Sequence, residues 1–160
     1  MIRTAAILAL ALATAAPAAA KDSLGVFANW AAFRDANPAR CYAIAKPERS
    51  SRTGPSASIA TWPQEGVRGQ LHLRLSRAIR ERAEVTLRVG GRSFSLLARE
   101  RDAWARDKAM DAAIVAAMRS ASAMRVSARD VAGRRFSDRY DLSGAATAID
   151  AAALGCAGRR

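Results

Sequence analysis

Two stretches of alternating apolar and polar residues flank the pair Gly90-Gly91. Within residues 84–97, on either side of the glycines, every second side chain is apolar, which is typical of strands that bury one face. Because a two-residue turn with positive φ accepts glycine readily, the sequence predicts an antiparallel hairpin. Its register predicts two apolar pairs on the buried face, Leu87 with Phe94 and Val85 with Leu96. The side chains expected to face outward are those of Thr86, Arg88, Ser93 and Ser95.

Further short strands are predicted where brief apolar or alternating stretches are bounded by turn residues. These stretches are residues 40–45, 58–62, 70–76, 124–128 and 135–141. Two helices are predicted, one capped by Asp107 and ending near residue 120, the other capped by Ser143 and ended by Gly155. Because no strand-helix-strand repetition suggests a parallel sheet, we expect a fold that is mainly β with two helices (α+β), an antiparallel β-sandwich-like single domain.

Residues 24–35 allow two interpretations. Their aromatic side chains are spaced by three, which fits an amphipathic helix, whereas residues 29–34 fit an edge strand equally well. The following Asn37-Pro38 predicts a turn, and residues 48–55 predict a polar loop. The sequence leaves the helix and strand alternatives open.

Residues 1–20 have the layout of a cleavable secretory signal peptide. A basic start with Arg3 precedes an apolar stretch that is too short to cross a bilayer, and alanines occupy the positions before the expected cleavage site. We therefore expect residues 21–160 to form one mature β-rich domain that is periplasmic, outer-surface or secreted. No later stretch is apolar over a spanning length, so no transmembrane segment is expected in the mature chain.

The chain contains two cysteines, Cys41 and Cys156. In an oxidising compartment an even number of cysteines favours pairing, so we expect a structural disulfide between them. A redox role is the alternative, but no C-x-x-C motif supports it.

The chain is strongly basic, with 26 Lys and Arg against 14 Asp and Glu and a formal net charge of +12. Such a charge attracts anionic polymers such as lipopolysaccharide or nucleic acid, which gives one hypothesis for a partner. The basic residues are spread along the sequence, and the denser stretches at 77–82 and 99–106 also contain acids. A general arginine-rich composition is therefore the simpler interpretation, and electrostatic binding of polyanions is kept as an alternative.

Catalytic motifs are not found in the sequence. The single histidine, His72, excludes sites that need two or more histidines, such as multi-histidine zinc sites, and its position in an alternating stretch predicts a polar face. The patterns G-x-S-x-G, S-x-x-K, the P-loop and G-x-G-x-x-G do not occur. We therefore predict no catalytic, cofactor-binding or metal-binding residues and expect a protein that is not an enzyme.

Carboxylates give the remaining catalytic alternative, a small hydrolase with two acidic groups. Asp138 shares by parity the face of the apolar residues of its strand, and Asp150 lies on the last predicted helix. An inward Asp138 is expected to pair with an arginine instead. Asp102, Asp107 and Asp111 have a spacing that fits a helix start and an exposed face rather than a calcium loop.

The three tryptophans, Trp30, Trp62 and Trp104, allow two interpretations. Beside arginines they could stack on bases or sugars. Because the chain has few aromatic residues, we expect each tryptophan to belong to the core.

Several segments together resemble one protein family. Trp30, the stretch Arg-Cys-Tyr-Ala-Ile-Ala at 40–45, the ending Tyr-Asp-Leu-Ser-Gly-Ala-Ala-Thr-Ala-Ile-Asp at 140–150 and the final Cys156 are similar to the invasion-associated locus B family of alphaproteobacterial envelope proteins. The resemblance extends over nearly the whole mature chain. It implies a periplasmic or surface-associated sandwich-like domain without known catalysis, linked in pathogenic members to host-cell entry.

The expected function is therefore that of a non-catalytic exported envelope protein. Its domain would offer a surface to a protein or glycan partner, and no cofactor is expected. The expected partner is another component of the envelope, a protein or a glycan.

Overall fold

A computed structural model describes residues 21–49 and 54–157 of the chain. The expected signal peptide therefore lies outside the described residues, as do residues 50–53 of the predicted loop. The described part forms one antiparallel sheet with ten strands and two α-helices, which confirms the expected fold class.

The elements follow one another along the chain as strands and helices with short connections. They are β1 (Lys21–Phe27), β2 (Trp30–Ala36), β3 (Ala39–Ala45), β4 (Ser56–Trp62), β5 (Val67–Arg74), β6 (Val85–Val89), β7 (Arg92–Arg99), β8 (Asp102–Trp104), α1 (Lys108–Ser120), β9 (Ala123–Arg129), β10 (Arg135–Asp141) and α2 (Ala145–Gly155). The spatial order of the strands is β1-β2-β3-β4-β5-β8-β7-β6-β9-β10.

The sheet curls so that its last strand returns to β2 and to the loop after β3. The indole N–H of Trp30 donates to the carbonyl of Asp141 at 2.9 Å, and the backbone N–H of Glu48 donates to the carbonyl of Arg139 at 2.9 Å. One face of the sheet is therefore turned inward and carries the core, while the opposite face is turned outward.

The inward face holds the apolar residues that the alternation predicts. Leu87 opposes Phe94 and Val85 opposes Leu96, as expected for the Gly90-Gly91 hairpin. The larger side chains that are fully buried include Trp30, Tyr140, Leu71, Leu73, Leu75, Ile114, Met118, Met124 and Val126. Since a fully buried leucine or valine contributes about 1.5 to 3 kcal/mol, these residues supply most of the driving force for folding.

The N-terminal segment is a hairpin, so the helical interpretation of residues 24–35 is wrong. Ala28 adopts φ +50° and turns β1 into β2. In β2 the ring of Trp30 points inward, whereas Phe33 packs outward with its ring centre 5.8 Å from that of Tyr42. The spacing of three thus distributes aromatic rings over two faces. Strand β2 is also an interior strand, because β1 forms the edge of the sheet.

Helix α1 begins where the sequence predicts. The carboxylate of Asp107 accepts a hydrogen bond from the backbone N–H of Met110 at 2.8 Å, as an N-cap does. Helix α2 begins differently, because Gly144 with φ +83° occupies the N-cap position instead of Ser143. A side chain at this position would overlap the carbonyl oxygen of Phe27, so only glycine fits.

A disulfide joins Cys41 on β3 to Cys156 after α2, at a sequence separation of 115 and with 5.8 Å between their Cα atoms. Both cysteines are buried. The disulfide thereby fixes α2 against the inward face of β3, where that helix also contacts β1 and β2.

Candidate functional site

The outward face of β6, β9 and β10 carries five arginines, which we call the arginine face. Strand pairing places Arg88, Arg125 and Arg139 opposite one another in one row, and Arg129 opposite Arg135 in another. Residues that oppose each other in antiparallel strands share a face, and neighbouring strands lie about 4.8 Å apart. The guanidinium groups are therefore concentrated on one exposed three-stranded surface.

Few carboxylates balance this charge. Arg139 forms an ion pair with Glu48 at 2.9 Å. Within the described residues, Arg88, Arg125, Arg129 and Arg135 have no carboxylate within ion-pair distance. Like charges placed opposite each other across strands destabilise a sheet, so the arrangement costs stability in the absence of an anion.

Hydroxyl groups lie between the two arginine rows. Thr86, Ser127 and Ser137 oppose one another across the same three strands. Arg125 donates to the hydroxyl of Ser137 at 3.3 Å. Ser137 lines two grooves, one of about 1040 Å³ that also contains Arg129 and one of about 330 Å³ that also contains Arg125. The surface thus combines cations and neutral hydrogen-bonding groups along open grooves.

Carboxylates do occur at the edges of these grooves. Glu81 and Glu84 line the larger groove, and Glu48 lines the smaller one. Glu84 accepts a hydrogen bond from the hydroxyl of Thr86 at 3.5 Å. Among the described residues, only Glu48 forms an ion pair with an arginine of this face, Arg139.

A second candidate site lies on the outward face of β3, β4, β5 and β8. We call it the aromatic cleft; its volume is about 600 Å³, and its principal side chains are Lys21, Arg40, Tyr42, Trp62, Gln70, His72 and Trp104. The guanidinium carbon of Arg40 lies 4.8 Å from the ring centre of Tyr42 and 5.3 Å from that of Trp62. The cleft therefore places an arginine against two aromatic faces.

The tryptophans divide between the core and this cleft. Trp30 is buried, as expected, but Trp62 and Trp104 are half-buried and line the cleft, so the expectation that all three belong to the core is wrong for two of them. The reason is parity: Trp62 and Trp104 occupy outward positions in their strands, since Trp104 opposes His72.

His72 lies on the polar face predicted for it. Its Nε2 atom lies 3.0 Å from a carboxylate oxygen of Asp102, and the same oxygen lies 3.5 Å from a guanidinium nitrogen of Arg74. The side chain of Asp102 is therefore already shared between two neighbours on the outward face.

The two carboxylates of the hydrolase alternative have structural partners. Asp138 is buried and accepts a hydrogen bond from the backbone N–H of Ser76 at 2.9 Å, so its expected arginine partner is replaced by a backbone group. Asp150 pairs with Arg119 at 2.7 Å, and that hydrogen bond lowers the pKa of Asp150. Asp138 shares its groove with Glu48, whose carboxylate is held by an arginine.

Asp111 differs from its expected exposed position. It is buried on α1 and accepts a hydrogen bond from the backbone N–H of Leu71 at 2.8 Å. Burial raises the pKa of Asp111, although the bond from Leu71 opposes that shift. The pairing of β5 with β8 begins at His72, the residue after Leu71. Asp111 therefore provides an acceptor for the N–H of β5 that lies next to the end of that pairing.

The described part of the chain contains neither a cluster of metal ligands nor a membrane-spanning helix. Across residues 21–49 and 54–157, no group of three or more His, Cys, Asp or Glu side chains is placed to hold a metal ion. Over the same residues, no helix has both the length and the apolar character needed to cross a membrane.

The sequence is matched by the family model described as Invasion associated locus B (IalB) protein, over residues 31–153. This range includes the arginine face and most of the aromatic cleft. Comparisons with curated proteins and with solved structures give no significant match.

Proposed function

The chain belongs to the invasion associated locus B family, which is an exported bacterial family, and we propose that it is a non-catalytic envelope protein whose arginine face binds an anionic glycan. The observation that carries this proposal is the row formed by Arg88, Arg125 and Arg139 across three strands. We place the domain in the periplasm or at the outer surface.

Electrostatics favour an anionic ligand for this surface. Each opposed pair of like charges costs on the order of a few tenths of a kcal/mol, and a bound anion would remove that cost for Arg88 with Arg125 and for Arg129 with Arg135. A ligand with several anionic groups would also release counterions from each group it presents, which strengthens binding at low salt.

The chemistry between the arginines favours a glycan over other polyanions. The hydroxyls of Thr86, Ser127 and Ser137 can bond the neutral hydroxyls of a sugar chain between its charged groups. Single-stranded nucleic acid is usually bound by stacking on several aromatic rings, whereas the outward positions of β6, β9 and β10 carry no aromatic ring, and the one ring that lines the grooves, Phe136, packs against the core. The same positions carry no large apolar side chain for insertion into a lipid surface.

The direct test is the salt dependence of binding to a heparin-derived hexasaccharide. We expect the double variant Arg88→Gln/Arg125→Gln to bind more weakly and to reduce the slope of log affinity against log salt by about 2, roughly one for each lost contact. The matched control is Arg99→Gln/Arg106→Gln, which removes the same charge from exposed positions outside the arginine face.

An equal loss of affinity in the control variant would contradict the proposal, because binding would then depend on net charge alone. Duplex DNA and vesicles containing anionic lipid serve as comparison ligands at the same ionic strength. If either bound more tightly than the sulfated hexasaccharide, the glycan assignment would be wrong.

The proposed localisation has a separate test. Removal of a signal peptide predicts a mature N-terminus at residue 21 in protein taken from the native host. Mass spectrometry that finds an intact Met1 would contradict export.

A further inference from the structure

We propose that the aromatic cleft is a second binding site, which takes a sugar ring bearing a carboxylate, such as a uronic acid. The cleft lies on β3, β4, β5 and β8, and its lining shares no residue with the grooves of the arginine face. This inference therefore goes beyond the proposed function and does not depend on it.

The cations of the cleft are held in place but keep free donors. Arg40 donates from Nε to a carboxylate oxygen of Asp35 at 2.8 Å, which leaves its terminal amino groups without a partner among the described residues. Lys21 lies 5.9 Å from the ring centre of Tyr42, on the side of the same cleft. Two positive groups thus lie beside the ring of Tyr42 in one cleft, and either can form a charge-assisted hydrogen bond, which is the strong kind, with a carboxylate bound there.

The carboxylate and amide oxygens that line or border the cleft are engaged or buried. One oxygen of Asp35 accepts from Arg40 and the other is buried without a hydrogen-bond partner among the described residues, while the side-chain carbonyl of Gln70 accepts from the indole N–H of Trp62 at 3.2 Å. Asp102 is shared by His72 and an arginine. The amide N–H groups of Gln70 remain as donors, so the free groups suit the oxygen atoms of a sugar and of a carboxylate.

The ring surfaces favour a saccharide over a nucleobase. The guanidinium of Arg40 lies against both Tyr42 and Trp62, so these two rings form no open slot for a flat base. Trp104 remains half-exposed on the other side of β5, where the apolar face of a pyranose can pack on the indole. A base would also need acceptors for its amino groups, and the engaged carboxylates do not supply them. The volume of about 600 Å³ lies within the range of small-ligand sites.

Intrinsic fluorescence gives a direct test, because Trp62 and Trp104 line the cleft while Trp30 is buried elsewhere. The probe is digalacturonate, compared with its methyl ester and with uridine monophosphate at equal ionic strength. We expect a saturable fluorescence change with digalacturonate and binding about tenfold weaker for the ester, which lacks the charges.

Variants locate the site. We expect Arg40→Gln to weaken digalacturonate binding by about tenfold, and Lys21→Gln, on the exposed edge strand, to weaken it severalfold with the fold intact. Arg106→Gln is the matched control, with the same change of charge outside the cleft. The circular dichroism spectrum of each variant reports its folding.

Three results would overturn the inference. The first is the absence of a saturable change with digalacturonate, and the second is equal binding of its methyl ester or of the nucleotide. The third is wild-type binding by both variants, Lys21→Gln and Arg40→Gln, when both are folded. Hexasaccharide affinity of the same variants distinguishes the two sites. If Arg40→Gln lowers digalacturonate binding and leaves the heparin hexasaccharide bound, the cleft acts independently of the arginine face.

Discussion

Removal of the disulfide should destabilise the domain strongly. The double variant Cys41→Ala/Cys156→Ala opens a loop whose ends are 115 positions apart in sequence. In the chain-entropy model, closing a loop of that length stabilises the folded state by about 5 kcal/mol, and strain or residual structure in the unfolded chain reduces that value. The loss is a large fraction of the roughly 5 to 15 kcal/mol that typical domains possess.

Urea denaturation of the mature domain measures this loss. We expect the free energy of unfolding to fall by about 3 to 5 kcal/mol and the midpoint of thermal unfolding by on the order of 10 to 20 °C. The wild type with an added reductant is the matched control, since it breaks the bond without changing the buried side chains. Agreement between the variant and the reduced wild type would assign the effect to the cross-link and not to packing.

A decrease below about 1 kcal/mol in both samples would refute the reasoning, because the tether would then contribute little to stability. Such a result would mean that α2 is held against β3 by packing alone. A large decrease in the variant with none in the reduced wild type would instead assign the loss to the substituted side chains.

Three further predictions concern single residues. Asp111→Asn keeps an acceptor for the N–H of β5 and removes a buried charge. Because the pKa of Asp111 is raised in the folded state, the stability of the wild type falls as pH rises through that pKa. Denaturation curves should therefore show the variant equal to or more stable than the wild type at pH 7, with this advantage lost in acid. Asp130 is buried with two guanidinium partners and two backbone N–H partners. Burial alone would raise the pKa of Asp130, but these hydrogen bonds lower it, so the carboxylate stabilises the fold at neutral pH and this stabilisation is lost as pH falls through the lowered pKa. Asp130→Asn should therefore destabilise the domain at pH 7 and match the stability of the wild type in acid. Gly144→Ala should lower the free energy of unfolding by on the order of 2 to 4 kcal/mol, because the added Cβ would overlap the carbonyl oxygen of Phe27. Gly91→Ala is the control, since its Cβ would meet open space and the free energy of unfolding should change little. Equal effects of the two substitutions would contradict this explanation.

Much of the sheet could be predicted because alternation and turn residues specify it locally. The hairpin at Gly90-Gly91, its register and the N-cap at Asp107 depend on neighbours within a few residues, and the structure contains all of them. Strand β8 was not predicted, because its three residues are too few to show alternation. The β1–β2 hairpin was ambiguous because its rings divide between two faces.

The candidate sites depend on strand order, which the sequence does not give. Arg88 and Arg125 are far apart in the chain and become neighbours only because β6 pairs with β9. Parity within each strand could have shown that both face outward, but not that they share one surface. The same limit applies to Trp62 and Trp104, which meet at the cleft through β4, β5 and β8.

Chemical-shift mapping tests the central claim most directly. In ¹H–¹⁵N spectra of the mature domain titrated with heparin-derived hexasaccharide, we expect saturable shifts concentrated in the amides of β6, β9 and β10, with the side-chain signals of Arg88 and Arg125 among the largest. Absence of saturable shifts, or shifts confined to the strands that lie outside the arginine face, would contradict the account.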